Sequence, residues 1–205
     1  MFTGIVTAIG TIRKVEQRGD LRLEIACPFD PARIAIGASI ACSGVCLTAV
    51  QKGGEAGDSW FAVDVSAETV SRTARAMWAQ GRRLNLEPSL KLGDEMGGHI
   101  VTGHVDAVGR VVGWQGEGDS IRATIAAPPA LAPYIAAKGS ITVDGVSLTV
   151  NALDDQADGS VHFHLNLIPH TAAVTTLGAL DVGSEVNLEI DVVARYLQRI
   201  MALRG

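Results

Sequence analysis

Short apolar stretches alternate with clusters of glycine, aspartate and asparagine along most of the chain. LRLEIA from Leu21, SITVDGVSLTV from Ser140 and VHFHLNLI from Val161 alternate or run apolar over strand lengths. Short strands at such regular spacing predict closed β-barrels. Brief helical candidates interrupt them: PFDPARIAIGA from Pro28, PPALAPYIAAKG from Pro128, and the segments after Thr69 and Thr171. The last stretch, residues 191–205, breaks the pattern. Its apolar Val193, Leu197, Ile200 and Met201 recur at intervals of three and four, which predicts an amphipathic helix with Asp191 near its start. That stripe fits packing on the chain's own barrels as well as a bundle with copies from other subunits, and three turns is short for a coiled coil.

The pattern repeats. FTGIVTAIG (Phe2–Gly10) matches VTGHVDAVG (Val101–Gly109), and SGVCLTAV (Ser43–Val50) matches DGVSLTV (Asp144–Val150), each preceded by Ser-Ile in the same register. SWFAVDVSAET, ending at Thr69, aligns with VHFHLNLIPHT, ending at Thr171; LNLE at Leu84 aligns with VNLEI at Val186. All the offsets lie between 99 and 102 residues, and four collinear matches argue for duplication. The expected architecture is all-β: two tandem, similar, six-stranded Greek-key barrels over residues 1–96 and 97–190, followed by a C-terminal α-helix over 191–205.

Composition narrows the function classes. The chain has 205 residues, 47% hydrophobic and 19% charged, and no stretch reaches the ~18 apolar residues of a membrane span. A net charge of -5, without a Lys/Arg cluster, argues against a nucleic-acid surface. The opening MFTGIV carries no signal-peptide features, so a cytoplasmic location is the expectation. Cys27, Cys42 and Cys46 form no CxxC pair and read as free thiols rather than as disulfide or zinc partners.

Strand alternation tells which polar groups face one surface. Thr102 shares a face with His104, Cys46 with Thr48, and Ser147 with Thr149. Such hydroxyl, thiol and imidazole groups suit a polar heterocycle bearing hydroxyls, although Thr and Ser are also ordinary strand residues. His99 and His104 are an odd number apart and face opposite ways in a regular strand, so no metal site is expected. His162 and His164 alternate with Phe163 and Leu165, which predicts solvated positions on a barrel exterior.

Taken together, MFTGIV, SGVCLT, GGHIVTGHVD (Gly97–Asp106), DGVSLTV and the IPHT segment (Ile168–Thr171) followed by TTLG resemble the riboflavin synthase family over the full length. The resemblance implies an enzyme that turns two molecules of 6,7-dimethyl-8-ribityllumazine into one riboflavin and one 5-amino-6-ribitylaminouracil, without a cofactor. It implies a homotrimer in which the first barrel of one chain faces the second barrel of its neighbour, each holding one lumazine. Association with lumazine synthase is a further candidate.

Carried over by the resemblance, ligand contacts in the first barrel are Gly4, Ile5, Val6, Cys46, Leu47, Thr48, Asp64, Val65, Ser66, Ala67, Glu68 and Thr69, with Phe2 shaping the site. In the second barrel they are Gly103, His104, Val105, Lys138, Ser147, Leu148, Thr149, Ile168, Pro169, His170, Thr171, Ala172 and Ala173. The expected catalytic set is His104 for proton transfer, Cys46 and Ser147 for positioning water or assisting addition at C7, and Thr149, with Thr48, for holding ring or ribityl chain.

Two positions depart from the family pattern: His170 stands where a Glu is common, and Val45 where many relatives have a second Cys. The unlike pairs between repeats, Ile5 with His104, Cys46 with Ser147, Asp64 with Asn166 and Glu68 with His170, are the candidates for telling donor from acceptor. The competing expectations are a non-catalytic lumazine or flavin antenna of the same fold, a pure assembly module, and a flavin-dependent oxidoreductase.

Overall fold

A computed structural model describes residues 1–204. The first half carries strands β1 (Ala8–Arg18), β2 (Asp20–Cys27), β3 (Ser39–Cys42), β4 (Val45–Thr48), β5 (Gln51–Glu55), β6 (Asp58–Val65) and β7 (Arg83–Pro88). The second carries β8 (Ala107–Glu117), β9 (Ser120–Ala127), β10 (Ser140–Val143), β11 (Val146–Thr149), β12 (Ala152–Asp155), β13 (Val161–Leu167) and β14 (Glu185–Ile190). The sheet orders are β4-β3-β7-β1-β2-β6-β5 and β11-β10-β14-β8-β9-β13-β12, so each strand of one half has its counterpart seven places on in the other. All the pairings are antiparallel.

Each half has seven strand segments rather than the six expected, and the reason is local. The two ends of the first sheet, β4 and β5, are consecutive in the chain, separated only by Ala49 and Val50. Ala49 turns into the core while the Val50 N–H bonds back to Ala62 of β6 at 2.8 Å. One bent strand thus closes the barrel and breaks into two segments at the bend. The Val150–Asn151 step does the same between β11 and β12, with Asn151 N–H bonded to His164 O at 2.8 Å.

The long first strand of each half also bends. Register slips between Ile12 and Lys14 in β1 and between Val111 and Gly113 in β8, bulges that let one strand pair with β7 (or β14) and then wrap onto β2 (or β9). Inward positions fill two separate cores, one around Ile12, Leu23, Ile25, Phe61, Leu84 and Leu86, the other around Val111, Ile125, Ile141, Phe163, Leu165 and Leu188.

The 3-10 turns at Pro31–Arg33 and Pro129–Tyr134 fall within the expected segments, and short helices α1 (Ala67–Arg72) and α2 (Pro169–Val174) follow the sixth strand of each half, starting before Thr69 and Thr171 rather than after them. Ser66 Oγ caps α1 by accepting from Thr69 N–H, whereas α2 starts with Pro169 and has no side-chain cap.

Helix α3 spans Val192–Ala202, capped by Asp191, whose side chain accepts from Val193 N–H. The terminal Gly205 of the expected helical segment lies outside the described residues. Val193, Tyr196, Leu197, Ile200 and Met201 are 48–67% exposed, so the stripe does not pack on its own barrels. Arg195 holds the helix base by bidentate bonds to Asp106 at 2.7 and 2.9 Å. Among the described residues, no helix is long and apolar enough to cross a membrane.

Candidate functional site

Two segments that precede the barrels, Phe2–Val6 and Val101–Val105, form straps between the halves. Phe2 pairs with Val101 by reciprocal backbone bonds of 2.8 and 3.0 Å, and both side chains are buried with Ala41. From there each strap is gripped by a carboxylate of its own half. Glu87 on β7 accepts from Thr3 N–H (2.7 Å), Thr3 Oγ1 (2.8 Å) and Gly4 N–H (2.9 Å). Glu189 on β14 accepts from Thr102 N–H (2.7 Å), Thr102 Oγ1 (2.6 Å), Gly103 N–H (2.9 Å) and His104 N–H (3.1 Å). Burial pushes both carboxyls above the usual range, and the strap donors act in the opposite sense.

The straps then cross over. Gly4 O accepts from Ser147 N–H on β11 of the second barrel, and Gly103 O accepts from Cys46 N–H on β4 of the first, each at 2.8 Å. Val6 packs on the second core and Val105 on the first. The crossing requires glycine. Gly4 and Gly103 have φ of +76° and +77°, and a Cβ on either would stand 2.6 Å from the Cβ of Ser147 or Cys46. The expected grouping is therefore corrected for the strap residues: Gly4 and Val6 lie against the second barrel, with Gly4 beside Ser147, while Gly103 and Val105 lie against the first, with Gly103 beside Cys46, and Ile5 and His104 are carried on the same straps.

Around Ser147 a polar cluster forms that the sequence reading missed. His99 Nδ1 stands 2.7 Å from Ser147 Oγ, and its Nε2 stands 3.3 Å from Thr142 Oγ1, across the β10–β11 pair. Desolvation lowers the His99 pKa and favours the neutral ring. A neutral imidazole in this setting bonds both hydroxyls, donating to one and accepting from the other, and in the tautomer protonated at Nε2 its Nδ1 accepts from Ser147. The signal was present in the Gly97-Gly98 pair before His99. A Cβ on Gly98 would come within 2.0 Å of Thr3 O, so the chain at that point must run against the N-terminal strap.

Cys46 is the one half-buried thiol; Cys27 and Cys42 are buried, and desolvation raises the Cys42 pKa far above its ordinary value. Among the described residues, no hydrogen bond links Cys46 Sγ to an imidazole. His104 is exposed, as are Thr48 and Thr149 at the ends of β4 and β11, and Leu47 is buried behind Cys46 while Leu148 is half-buried behind Ser147.

Asp64 points outward from β6 and is taken up by Arg22 in a bidentate pair of 2.5 and 2.9 Å, while Val65 is buried. Glu68 on α1 is exposed and paired with Arg72 at 2.8 Å. Ser66 and Ala67 are exposed beside it, with Thr69 half-buried. In the second half Ile168, Pro169, His170 and Ala173 are exposed, and Thr171 and Ala172 half-buried. Lys138 is exposed at φ +67°, where its counterpart is Gly37 at +87°.

His164, expected to be solvated, is instead tied down on the barrel exterior: Nδ1 lies 3.0 Å from Thr124 Oγ1 and Nε2 2.7 Å from Asp154. A cavity of about 310 Å³ lies apart from all these residues, lined by Val108, Arg110, Ala126, Pro128, Ser160 and Glu185 among others.

A family profile for the lumazine binding domain matches twice, over residues 3–89 and 102–191. The chain is 48% identical to the riboflavin synthase of Brucella abortus (strain 2308), covering 98% of each protein. It is 45% identical to that of Mycobacterium tuberculosis (strain ATCC 25618 / H37Rv), covering 100% of each. The chain belongs to the riboflavin synthase family. Among solved structures, LumP complexed with riboflavin superposes with a TM-score of 0.79 at 26% identity, covering 93% of this chain and 99% of that one. LumP complexed with 6,7-dimethyl-8-(1'-D-ribityl) lumazine gives 0.76 at 25% identity, with the same coverage. Within the family frame, the two matched repeats coincide with the two barrels and their straps.

Proposed function

We propose that this chain is a riboflavin synthase that transfers a four-carbon unit between two molecules of 6,7-dimethyl-8-ribityllumazine, giving riboflavin and 5-amino-6-ribitylaminouracil. The observation that carries the reading is the completeness of both repeats in a chain so similar to riboflavin synthases over its full length. Each half presents a strap carbonyl, a strand N–H and a reactive side chain in the same frame, Cys46 in one and Ser147 in the other. Two like reactants need two like frames, and fixing both replaces a bimolecular encounter by an effectively unimolecular step, worth up to ~7–11 kcal/mol.

The substrate's own ring is the electron sink: the C7 methyl of one lumazine loses a proton and the carbanion delocalises into the heterocycle. The second lumazine is opened by addition at C7, and the atoms of two lumazines equal those of the two products, so no external oxidant enters. The side chains divide the work. Ser147, with His99 as proton acceptor, delivers or receives a proton at one ring. Cys46 assists addition or orders water at the other, with exposed His104 beside it for proton transfer. Thr48 and Thr149 hold ring or ribityl oxygens, helped by the short-helix residues Asp64–Thr69 and Ile168–Ala173 and by Lys138. Replacing His104 by Gln lowers turnover more than lumazine binding; equal loss of both in steady-state and equilibrium measurements counts against a proton-transfer role.

The exposed face of α3 and the half-open surfaces around Ile5 and Ile168, 46% and 50% exposed, support assembly with further copies. The assembly we propose is a homotrimer with residues 1–96 of one chain facing 97–190 of the next and segment 191–205 at the contact. A cytoplasmic location and association with lumazine synthase complete the proposal.

One rival is a lumazine- or flavin-binding antenna without turnover, a reading that the ligands of the LumP complexes, riboflavin and the lumazine, also fit. Incubating the purified chain with 6,7-dimethyl-8-ribityllumazine alone separates the two. One riboflavin per two lumazines consumed establishes the synthase; bound but unchanged lumazine establishes the antenna.

A further inference from the structure

We infer that Glu87 and Glu189 are positioning residues that act across the chain, the carboxylate of each repeat setting the reactive strand of the other. The inference rests on the reading of Cys46 and Ser147 as site residues. Its geometry is a relay. Glu87 belongs to the first barrel by its place on β7, but the strap it grips ends in Gly4 O, which receives the Ser147 N–H of the second barrel. Glu189 belongs to the second barrel, and its strap ends in Gly103 O on the Cys46 N–H of the first.

No slack exists in either relay. The N–H bonded to the carboxylate and the C=O bonded to the opposite strand belong to one glycine, already in van der Waals contact with that strand. The carboxylates are 6% and 3% exposed. Burying such a group is costly unless it is multiply bonded, and here three and four donors converge on it.

The same strands carry a second crossed pair, two residues earlier. Asn85 donates to Asp144 O (2.9 Å) and accepts from Thr176 N–H (2.7 Å), both in the second half. Asn187 donates to Ser43 O (2.9 Å) and accepts from Ala74 N–H (2.8 Å), both in the first. Asn and Glu two apart share a strand face, so each Asn-x-Glu unit addresses the opposite barrel twice. The asparagines fix the docking of the halves. The glutamates, through the straps, fix where Cys46 and Ser147 stand.

A merely local role predicts that each glutamate disturbs its own barrel; the relay predicts the reverse. The test is the rate of Cys46 alkylation by iodoacetamide in the full chain, followed by peptide mass spectrometry, with buried Cys27 and Cys42 as reporters of unfolding. Glu189→Gln puts an amide NH₂ against strap N–H groups and is expected to raise the Cys46 rate at least about fivefold through local opening, with Glu87→Gln staying within about twofold of the parent. The Ser147 amide resonance, whose N–H bonds Gly4 O, should shift in Glu87→Gln and not in Glu189→Gln.

If Cys27 and Cys42 also react, Thr102→Val and Thr3→Val, which remove only one bond to each carboxylate, are to show the same crossed order at smaller amplitude. Equal effects of both glutamates on Cys46, an effect of Glu87 alone, or no effect of either overturns the relay. The readout does not require turnover, so absence of riboflavin formation would bear on the proposed function and leave this result standing.

Discussion

The two barrels are alike where the backbone is held and unlike where a ligand would be met. Asn85, Glu87, Gly4 and Gly44 find their counterparts in Asn187, Glu189, Gly103 and Gly145, with the glycines in the same φ region and matching bonds, save that His104 N–H reaches Glu189 while Ile5 N–H bonds Thr3 Oγ1. Cys46, without an imidazole bonded to it, faces one strap; Ser147, 2.7 Å from His99, faces the other. At the contact between the halves Ser43 Oγ accepts from Asn85 N–H, while the carboxyl of Asp144 accepts from Asn187 N–H. Duplication thus supplies two frames for one kind of ligand. The substitutions between them are what we propose tells donor from acceptor.

The largest expected effects come from attacking the common frame. Gly103→Ala and Gly4→Ala each force a left-handed alanine against the opposite strand. Each should cost about 3 kcal/mol of stability in urea titrations and about a hundredfold or more in turnover. If one is tolerated and the other is not, the frames are not equivalent.

Next comes the charge at the contact between halves. Asp144 is buried, and desolvation pushes its pKa up to about 7, against 3.8 for the free group, with the Asn187 bond and the Arg82 charge opposing the shift. Ser43, Arg83 and Glu185 line the same small water-sized cavity. Between the two values the folded chain keeps a proton that the unfolded chain has released. Stability from this group is therefore full below pH 3.8, falls as the pH rises through about 7, and is level above. Asp144→Ser, which copies Ser43, should remove that slope, on the order of 2 kcal/mol between pH 5 and 8 in denaturation measured at several pH values. An unchanged slope would place the titration elsewhere.

The chemistry of one site alone is probed by His99→Gln, expected to lower turnover about tenfold and to abolish an acid limb whose midpoint lies below the ordinary histidine value. Cys46 alkylation should not change. The smallest effect is expected at the turn before each third strand. Lys138→Gly relieves a left-handed lysine and should stabilise the chain by about 1 kcal/mol, and Gly37→Ala should destabilise it by about the same amount, both read by thermal unfolding.

Much of this architecture was legible in the sequence because it is written locally. Strand alternation, turn residues and the offset of about 100 residues between matching motifs gave the barrels and the duplication, and i, i+3, i+4 spacing gave α3. The seventh segment was not legible, since a bend at Ala49–Val50 leaves the apolar pattern intact. The crossing of the straps was hidden for a different reason. Gly4 lies 143 residues from Ser147, and bonds over such a distance leave no periodic trace, so the sequence pattern groups Phe2–Val6 with the barrel it precedes. His99 is hidden because strand parity sets it opposite His104. It lies before the strand, where parity does not apply.

One chain offers two frames of the same build but unequal chemistry. The most direct test is a calorimetric titration of the purified chain with 6,7-dimethyl-8-ribityllumazine, carried out in a His104→Gln background to slow turnover. Two lumazines should bind per chain, with distinguishable affinities. A single site, or two sites that cannot be told apart, would contradict it.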